Sequence, residues 1–201
     1  MYKTLIRPVL FKFNPEVVHN LTLNGLKVLR RIPFARNIVR LIYKREHPNL
    51  EREVFGIKFP NPVGLAGGLD KNGEVYNELS DFGFGFVEIG SLTAKPQPGN
   101  PKPRLFRVVK DKAIINRMGI NNHGVTQAIR NINSNHPRVI IAGNIAPNSS
   151  SQGEQVTEDY KTAFSLLYDF VDMFVINISC PNVVGLTSLQ EVSSLSDIMD
   201  N

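Results

Sequence analysis

The sequence predicts a parallel α/β fold placed behind a short, strongly basic helical segment. Three observations predict it. Short apolar, partly β-branched runs end in Gly or Asn, glycine-rich turns separate those runs from amphipathic helices, and charge and texture change sharply near residue 47. With 201 residues, 42% of them hydrophobic, the chain is long enough for one real core. A single cysteine excludes an internal disulfide, and no stretch reads as a secretory leader, so a reducing cytoplasm is the default compartment. No apolar run approaches the roughly 18 to 20 residues of a membrane-spanning helix.

The N-terminal segment comes first. Residues 1–45 hold ten Lys or Arg against one acid, Glu16, a net +9, whereas the remainder nets −4. Tyr2, Leu5, Ile6, Val9, Leu10 and Phe13 recur at three-and-four spacing, with Pro8 confining regular helix to the later residues. Asn14-Pro15-Glu16 opens a second helix, with Asn as N-cap and Pro at the first helical position. Val18, Leu21 and Leu29 give that helix an apolar face, joined by Val17 and Leu26, and Lys27, Arg30 and Arg31 load its last turn. A third amphipathic piece carries Phe34, Ile38, Val39 and Ile42. Apolar stripes beside excess cationic charge suit an anionic membrane surface. Ordinary core-packing helices with solvated lysines are the alternative. Nucleic acid is the weaker partner, because no nucleic-acid motif accompanies the charge.

A boundary at His47-Pro48-Asn49-Leu50 separates this segment, 1–47, from the α/β part, 48–201. There the pattern predicts a short strand over Phe55 to Phe59, and a buried one over Pro62 to Ala66 ending in the loop Gly67-Gly68-Leu69-Asp70-Lys71-Asn72. A helix follows across Gly73 to Asp81, then strands over Phe84 to Gly90 and Val139 to Asn144. The helix from Thr157 to Phe170 has Glu158 and Asp159 in its first turn. It leads to a strand over Asp172 to Ile176, which Pro181 terminates. About four parallel strands result, whereas a closed barrel of eight strand–helix units needs about 250 residues. The sequence therefore reads as the first part of a longer protein.

Polar residues just past the carboxyl ends of parallel strands line sites. Asn177-Ile178-Ser179-Cys180-Pro181-Asn182 sets a thiol between two amides at such a place. That thiol reads either as a proton-transfer group or as a small buried hydrophobe. The loop around Gly67 and Gly68 is neither a nucleotide-triphosphate loop nor a dinucleotide fingerprint. Lys71 can pair with an anionic substrate or remain a solvated surface charge. The amides of Asn116-Arg117-Met118-Gly119-Ile120-Asn121-Asn122 can face a ligand or cap a turn.

Five ordered motifs resemble those of a known family: Asn61 to Lys71, Glu88-Ile89-Gly90-Ser91, Lys102-Pro103-Arg104-Leu105-Phe106-Arg107, Asn116-Arg117-Met118-Gly119 and Asn177 to Asn182. Together they resemble dihydroorotate dehydrogenase, and the basic helices resemble its class 2, quinone-dependent, membrane-associated branch. The resemblance implies an FMN-containing (β/α)8 TIM barrel, about half of it present here, that oxidises dihydroorotate to orotate in pyrimidine synthesis. Lys71, Asn116, Asn177 and Asn182 would hold the substrate, with Arg117, Met118, Gly119 and Ile120 bordering it. FMN would lie on Gly67, Gly68, Leu69, Asp70 and Lys71, with Ser91, Asn144 and Asn177 near its rings. Cys180 occupies the position of the catalytic base. His19 and Arg107 match positions near the quinone, although in plain terms His19 is also a helix-surface residue and Arg107 a strand-edge charge. No metal is implied. The implied location is cytoplasmic, peripheral on the inner face of the cell membrane.

Two departures stand out. The base in class 2 members is typically serine, and cysteine is characteristic of the soluble class 1 branch. An unperturbed thiol titrates near about 8.5 and reaches the thiolate where a serine hydroxyl cannot. Flavin reduction is accordingly expected to rise with pH. Roughly the last two fifths of a family member is also missing, so residues 1–201 alone are expected to bind FMN poorly, to be inactive, and to expose sheet edges. The competing readings are a non-catalytic membrane-binding fragment and a soluble fumarate- or NAD-linked relative.

Overall fold

A computed structural model describes residues 2–181, 189–190, 196 and 198–199. The chain opens with a π-helical turn, Tyr2–Ile6, that runs into α1 (Arg7–Leu10), so Pro8 sits at the start of regular helix and does not interrupt it. Helix α2 (Pro15–Leu29) begins where its cap signal lies: Asn14 accepts a hydrogen bond from the Glu16 amide at 2.9 Å. Helix α3 (Ala35–Tyr43) follows. Its inner edge is fixed by Arg36 and Arg40, which both donate to the carboxylate of Asp81, a residue only 1% exposed. Arg36 also reaches the Asn77 carbonyl at 3.2 Å. Two guanidinium groups on one buried carboxylate fix the direction of the helix more than they add net stability.

The first strand prediction is corrected. Arg52–Val54 (β1) and Ile57–Phe59 (β2) form an antiparallel hairpin, and Phe55, with its neighbour Gly56, is the turn. Both turn residues have positive φ, 52° and 76°, as a two-residue primed turn demands, and Gly56 tolerates this without strain. Phe55 is consequently left in solvent.

The central layer is a four-stranded parallel sheet of β3 (Gly64–Leu65), β4 (Phe86–Leu92), β7 (Ile140–Ile145) and β8 (Met173–Ile176), in the spatial order β3-β4-β7-β8. Each strand is added beside its predecessor, so the order never reverses. Between them run α4 (Tyr76–Ser80), α5 (Val125–Ser134) and α6 (Glu154–Leu167). Val75, Leu79, Val87, Ile89, Leu92, Ile132, Ile141, Ile145, Ala163 and Leu167 form one continuous core between sheet and helices, and Leu23 and Leu26 of α2 join it. The basic segment thus packs on the α/β part through a narrow stripe while most of its apolar surface stays exposed.

Residues 105–116 stand apart from the four parallel strands. They form an antiparallel hairpin, β5 (Leu105–Val108) and β6 (Ala113–Asn116), outside the parallel sheet. Asn116 to Asn122 therefore leaves this hairpin and is not a parallel-strand end.

Candidate active site

The carboxyl ends of β3, β4, β7 and β8 open onto one side of the sheet, and the loops that follow them meet there. Loop 67–72 is pinned first. The Gly68 amide donates to the Gly90 carbonyl at 2.8 Å, and the Gly90 amide donates to the Asp70 carbonyl at 3.0 Å. The Asp70 carboxylate accepts the Glu74 and Val75 amides, each at 2.8 Å. Burial raises the Asp70 carboxyl above the usual carboxylate value against those hydrogen bonds. Asp70 therefore holds the loop in shape, and Leu69 packs on the core beside it.

With the loop fixed, Lys71 projects into a cleft of about 360 Å³. Gly67, Gly68, Ser91, Asn116, Met118, Gly119, Ile120, Asn144, Asn177 and Cys180 line the same cleft, and His19 reaches it from α2. The β5–β6 hairpin packs against α2, and Asn116 at its end lines the cleft together with Lys71.

The amides are held in fixed directions. Asn177 donates to the Ser91 hydroxyl at 2.8 Å, and its side-chain oxygen accepts the Ser179 amide at 3.2 Å. Burial keeps the Tyr160 phenol protonated well above its usual range, and that hydroxyl donates to the Asn177 carbonyl at 2.7 Å. Asn144 gives its NH2 group to Glu88, leaving its own Oδ1 buried without a partner. An orphaned buried acceptor at a cleft wall marks a place for a donor from a ligand.

Burial lowers the Lys71 amine below the usual lysine value. The Arg104 guanidinium adds to this, and the Cys180 and Glu16 side chains oppose it. Burial, and then the Lys71 ammonium, likewise keep His19 below the usual imidazole value, with Glu16 opposing. His19 is therefore neutral beside a lysine whose charge is costly to hold without an anion. Cys180 is half-buried against Ile120 and Ala146. The arrangement offers a cation for a carboxylate, amides for the edge of a polar ring, and a thiol at one side.

Not every expected residue faces the cleft. Arg117 points outward and donates to the Pro103 carbonyl. Arg107 stacks over the Phe11 ring at 4.6 Å and donates to the Phe13 carbonyl at 2.6 Å, so it joins the β5–β6 hairpin to the basic helices. Asn182 lies outside the described residues. Asn121, one of the clustered amides of 116–122, lines the cleft, Leu105 does so without a sequence signal for that role, and Glu88 holds Asn144 at its wall. Glu88 lies in a strand whose buried neighbours hide its direction from sequence pattern.

The dihydroorotate dehydrogenase family pattern matches residues 49–201. The dihydroorotate dehydrogenase (quinone) of Christiangramia forsetii is 50% identical over 200 residues, covering 100% of this chain and 58% of that protein. The dihydroorotate dehydrogenase (quinone) of Methylococcus capsulatus is 41% identical, covering 100% of this chain and 57% of its own length. Among solved structures, that of the Eimeria tenella enzyme in complex with ferulenol superposes with a TM-score of 0.80 at 34% identity, over 92% of this chain and 49% of the other. The chain thus spans a little under three fifths of the curated relatives it matches. It belongs to the dihydroorotate dehydrogenase family.

Proposed function

We propose that this chain forms the substrate-binding part of a quinone-linked dihydroorotate dehydrogenase. The observation that carries the reading is the convergence of Lys71, Cys180, Asn116, Asn144 and Asn177 on one cleft. Lys71 meets the substrate carboxylate. That contact offsets the desolvation of the amine and restores its charge, since an opposite charge within a few ångströms favours the ionised form. Asn116 and Asn177 hold the ring edges, and Asn182 joins them.

The residues present fit FMN as the cofactor. A Cβ on Gly67 would stand 2.6 Å from Glu88 Oε1 and 3.3 Å from Asn144 Nδ2, so the loop approaches these two side chains as closely as it does only because residue 67 is glycine. Asn144, whose Oδ1 is buried without a partner, lines the same cleft. Gly67, Gly68, Leu69, Ser91, Asn144 and Asn177 would hold the cofactor, with Asp70 and Lys71 completing its loop. When bound, FMN supplies the acceptor for the hydride from C6 of dihydroorotate and the route by which electrons reach a quinone. Cys180 takes the proton from C5, so that the C5–C6 double bond of orotate forms as one proton and one hydride leave.

The order β3-β4-β7-β8, which never reverses, supports a (β/α)8 barrel with its site at the carboxyl ends of the strands. Residues 1–47 are proposed as the membrane- and quinone-facing unit, and 48–201 as barrel. Phe34, Leu41, Leu5 and Leu21 are between 60% and 82% exposed among excess cations, which suits peripheral attachment to an anionic membrane on its cytoplasmic side. Among the described residues no helix is long and apolar enough to cross a membrane. His19, on the cleft, and Arg107, on β5 against Phe11 and Phe13, are the residues proposed for the quinone.

Cys180 favours a second reading, a fumarate- or NAD-linked enzyme, and one experiment separates the two. The full-length polypeptide containing residues 1–201, loaded with FMN, is mixed anaerobically with dihydroorotate and then offered each acceptor. Loss of the flavin absorbance, followed by fastest recovery with a quinone, is expected. Faster recovery with fumarate or NAD overturns the quinone assignment, and no loss with dihydroorotate overturns the whole reading.

A further inference from the structure

Glu16 and Arg104 stand 88 positions apart in sequence and meet in a buried ion pair. Arg104 Nη2 donates to Glu16 Oε1 at 2.7 Å and Arg104 Nε donates to Glu16 Oε2 at 3.3 Å. The residues are 6% and 8% exposed, and Lys102 adds a second, rim-exposed cation at 3.4 Å. The Arg104 guanidinium, and after it the Lys102 ammonium, hold Glu16 below the usual carboxylate value although burial opposes them.

What the pair joins gives it meaning. Glu16 lies in the first turn of α2, and His19, one turn on, lines the cleft. Arg104 fastens the other wall. Its Nη1 donates to the Pro98 and Asn100 carbonyls at 2.7 and 2.9 Å, and its own carbonyl accepts the Arg117 amide at 2.8 Å. Asn100 in turn donates through its backbone to the Met118 carbonyl at 2.9 Å and through its side chain to the Arg117 carbonyl at 3.0 Å. The contact is close: a Cβ on Gly99 would stand 2.4 Å from the Met118 carbonyl oxygen. Residues 98–104 are therefore the backing of the segment that carries Asn116, Met118 and Gly119.

A buried ion pair adds little net stability over an apolar pair of the same shape, and the planar guanidinium fork chiefly fixes direction. We propose that Glu16 and Arg104 are positioning residues that tie the His19 helix to the Asn116–Gly119 wall and so set the shape of the substrate cleft. The proposal rests on the dihydroorotate dehydrogenase reading given above.

The test is steady-state kinetics on the full-length, FMN-loaded protein at saturating quinone, well below each variant's Tm. Glu16→Ala and Arg104→Ala should each raise the KM for dihydroorotate about tenfold, with kcat changed by less than about threefold, because a displaced wall weakens capture more than proton transfer. The double variant should be no worse than Arg104→Ala alone, since either substitution cuts the same link. If Glu16→Ala fails to fold, Arg104→Lys carries the same expectation, because it keeps the charge and loses the fork. Variants that lose Tm but keep the parental KM reduce the pair to a stabilising contact and overturn the proposal. An inactive parent protein overturns the functional reading itself, whereas an active parent with KM unmoved in the variants overturns the positioning role alone.

Discussion

Replacing Cys180 by Ala is expected to slow flavin reduction by dihydroorotate about a hundredfold or more, the usual loss when a general base is removed. Stopped-flow absorbance on the full-length, FMN-loaded protein measures this directly. FMN content should hold, because the flavin is assigned to Gly67, Gly68, Ser91, Asn144 and Asn177 and none of these takes a hydrogen bond from the sulfur. Cys180→Ser, which keeps a proton-accepting atom at the same place, should stay well above Ala. Near-parental reduction in the Ala variant would remove Cys180 from the chemistry and return it to a small half-buried hydrophobe against Ile120 and Ala146.

Lys71→Ala carries the other large expected effect. Truncating one member of a buried charge pair costs roughly 2 to 5 kcal/mol, so kcat/KM for dihydroorotate should fall by about two orders of magnitude or more. Lys71 also predicts a pH signature with a definite sign. Its amine is held below the usual lysine value chiefly by burial, so the proton that makes it a cation is lost as pH rises, earlier than for an exposed lysine. The KM for dihydroorotate should therefore climb on the alkaline side, and Lys71→Ala should flatten that climb at a high KM. A KM that falls with rising pH, or one indifferent to Lys71→Ala, would separate the amine from the substrate carboxylate.

How much of this was legible in the sequence depends on range. Local signals transferred well: the Asn14 cap opens α2 where it should, and Pro8 starts the regular helix that its missing amide would have broken further in. The parallel strands at β4, β7 and β8 follow from short apolar runs with polar residues at their carboxyl ends, and this is also why Lys71, Asn144, Asn177 and Cys180 could be expected on one side of the molecule. The β1–β2 hairpin was half missed because Phe55, an apolar residue, occupies a turn whose only signal is Gly56. Helix α5 gave little warning, since just Val125, Ala128 and Ile132 make its buried stripe and Gly124 caps it without a side chain. Long-range polar pairs were invisible. Nothing local tells Glu16 that Arg104 is its partner, or Asp81 that two arginines of α3 will reach it, because such contacts are fixed by how elements pack and not by their own periodicity. The outward turn of Arg117 has the same origin: its guanidinium is held by the Pro103 carbonyl, a contact that no local pattern announces.

The convergence of amine, thiol and amides on one bound substrate is tested most directly by a crystal structure of the full-length protein with FMN and orotate. The account predicts the orotate carboxylate within hydrogen-bond distance of Lys71 Nζ, about 2.7 to 3.2 Å, with Asn116 and Asn177 on the ring edges and Cys180 Sγ facing C5. Orotate bound outside this cleft, or bound with the sulfur and the amine on opposite sides of the molecule, would contradict it.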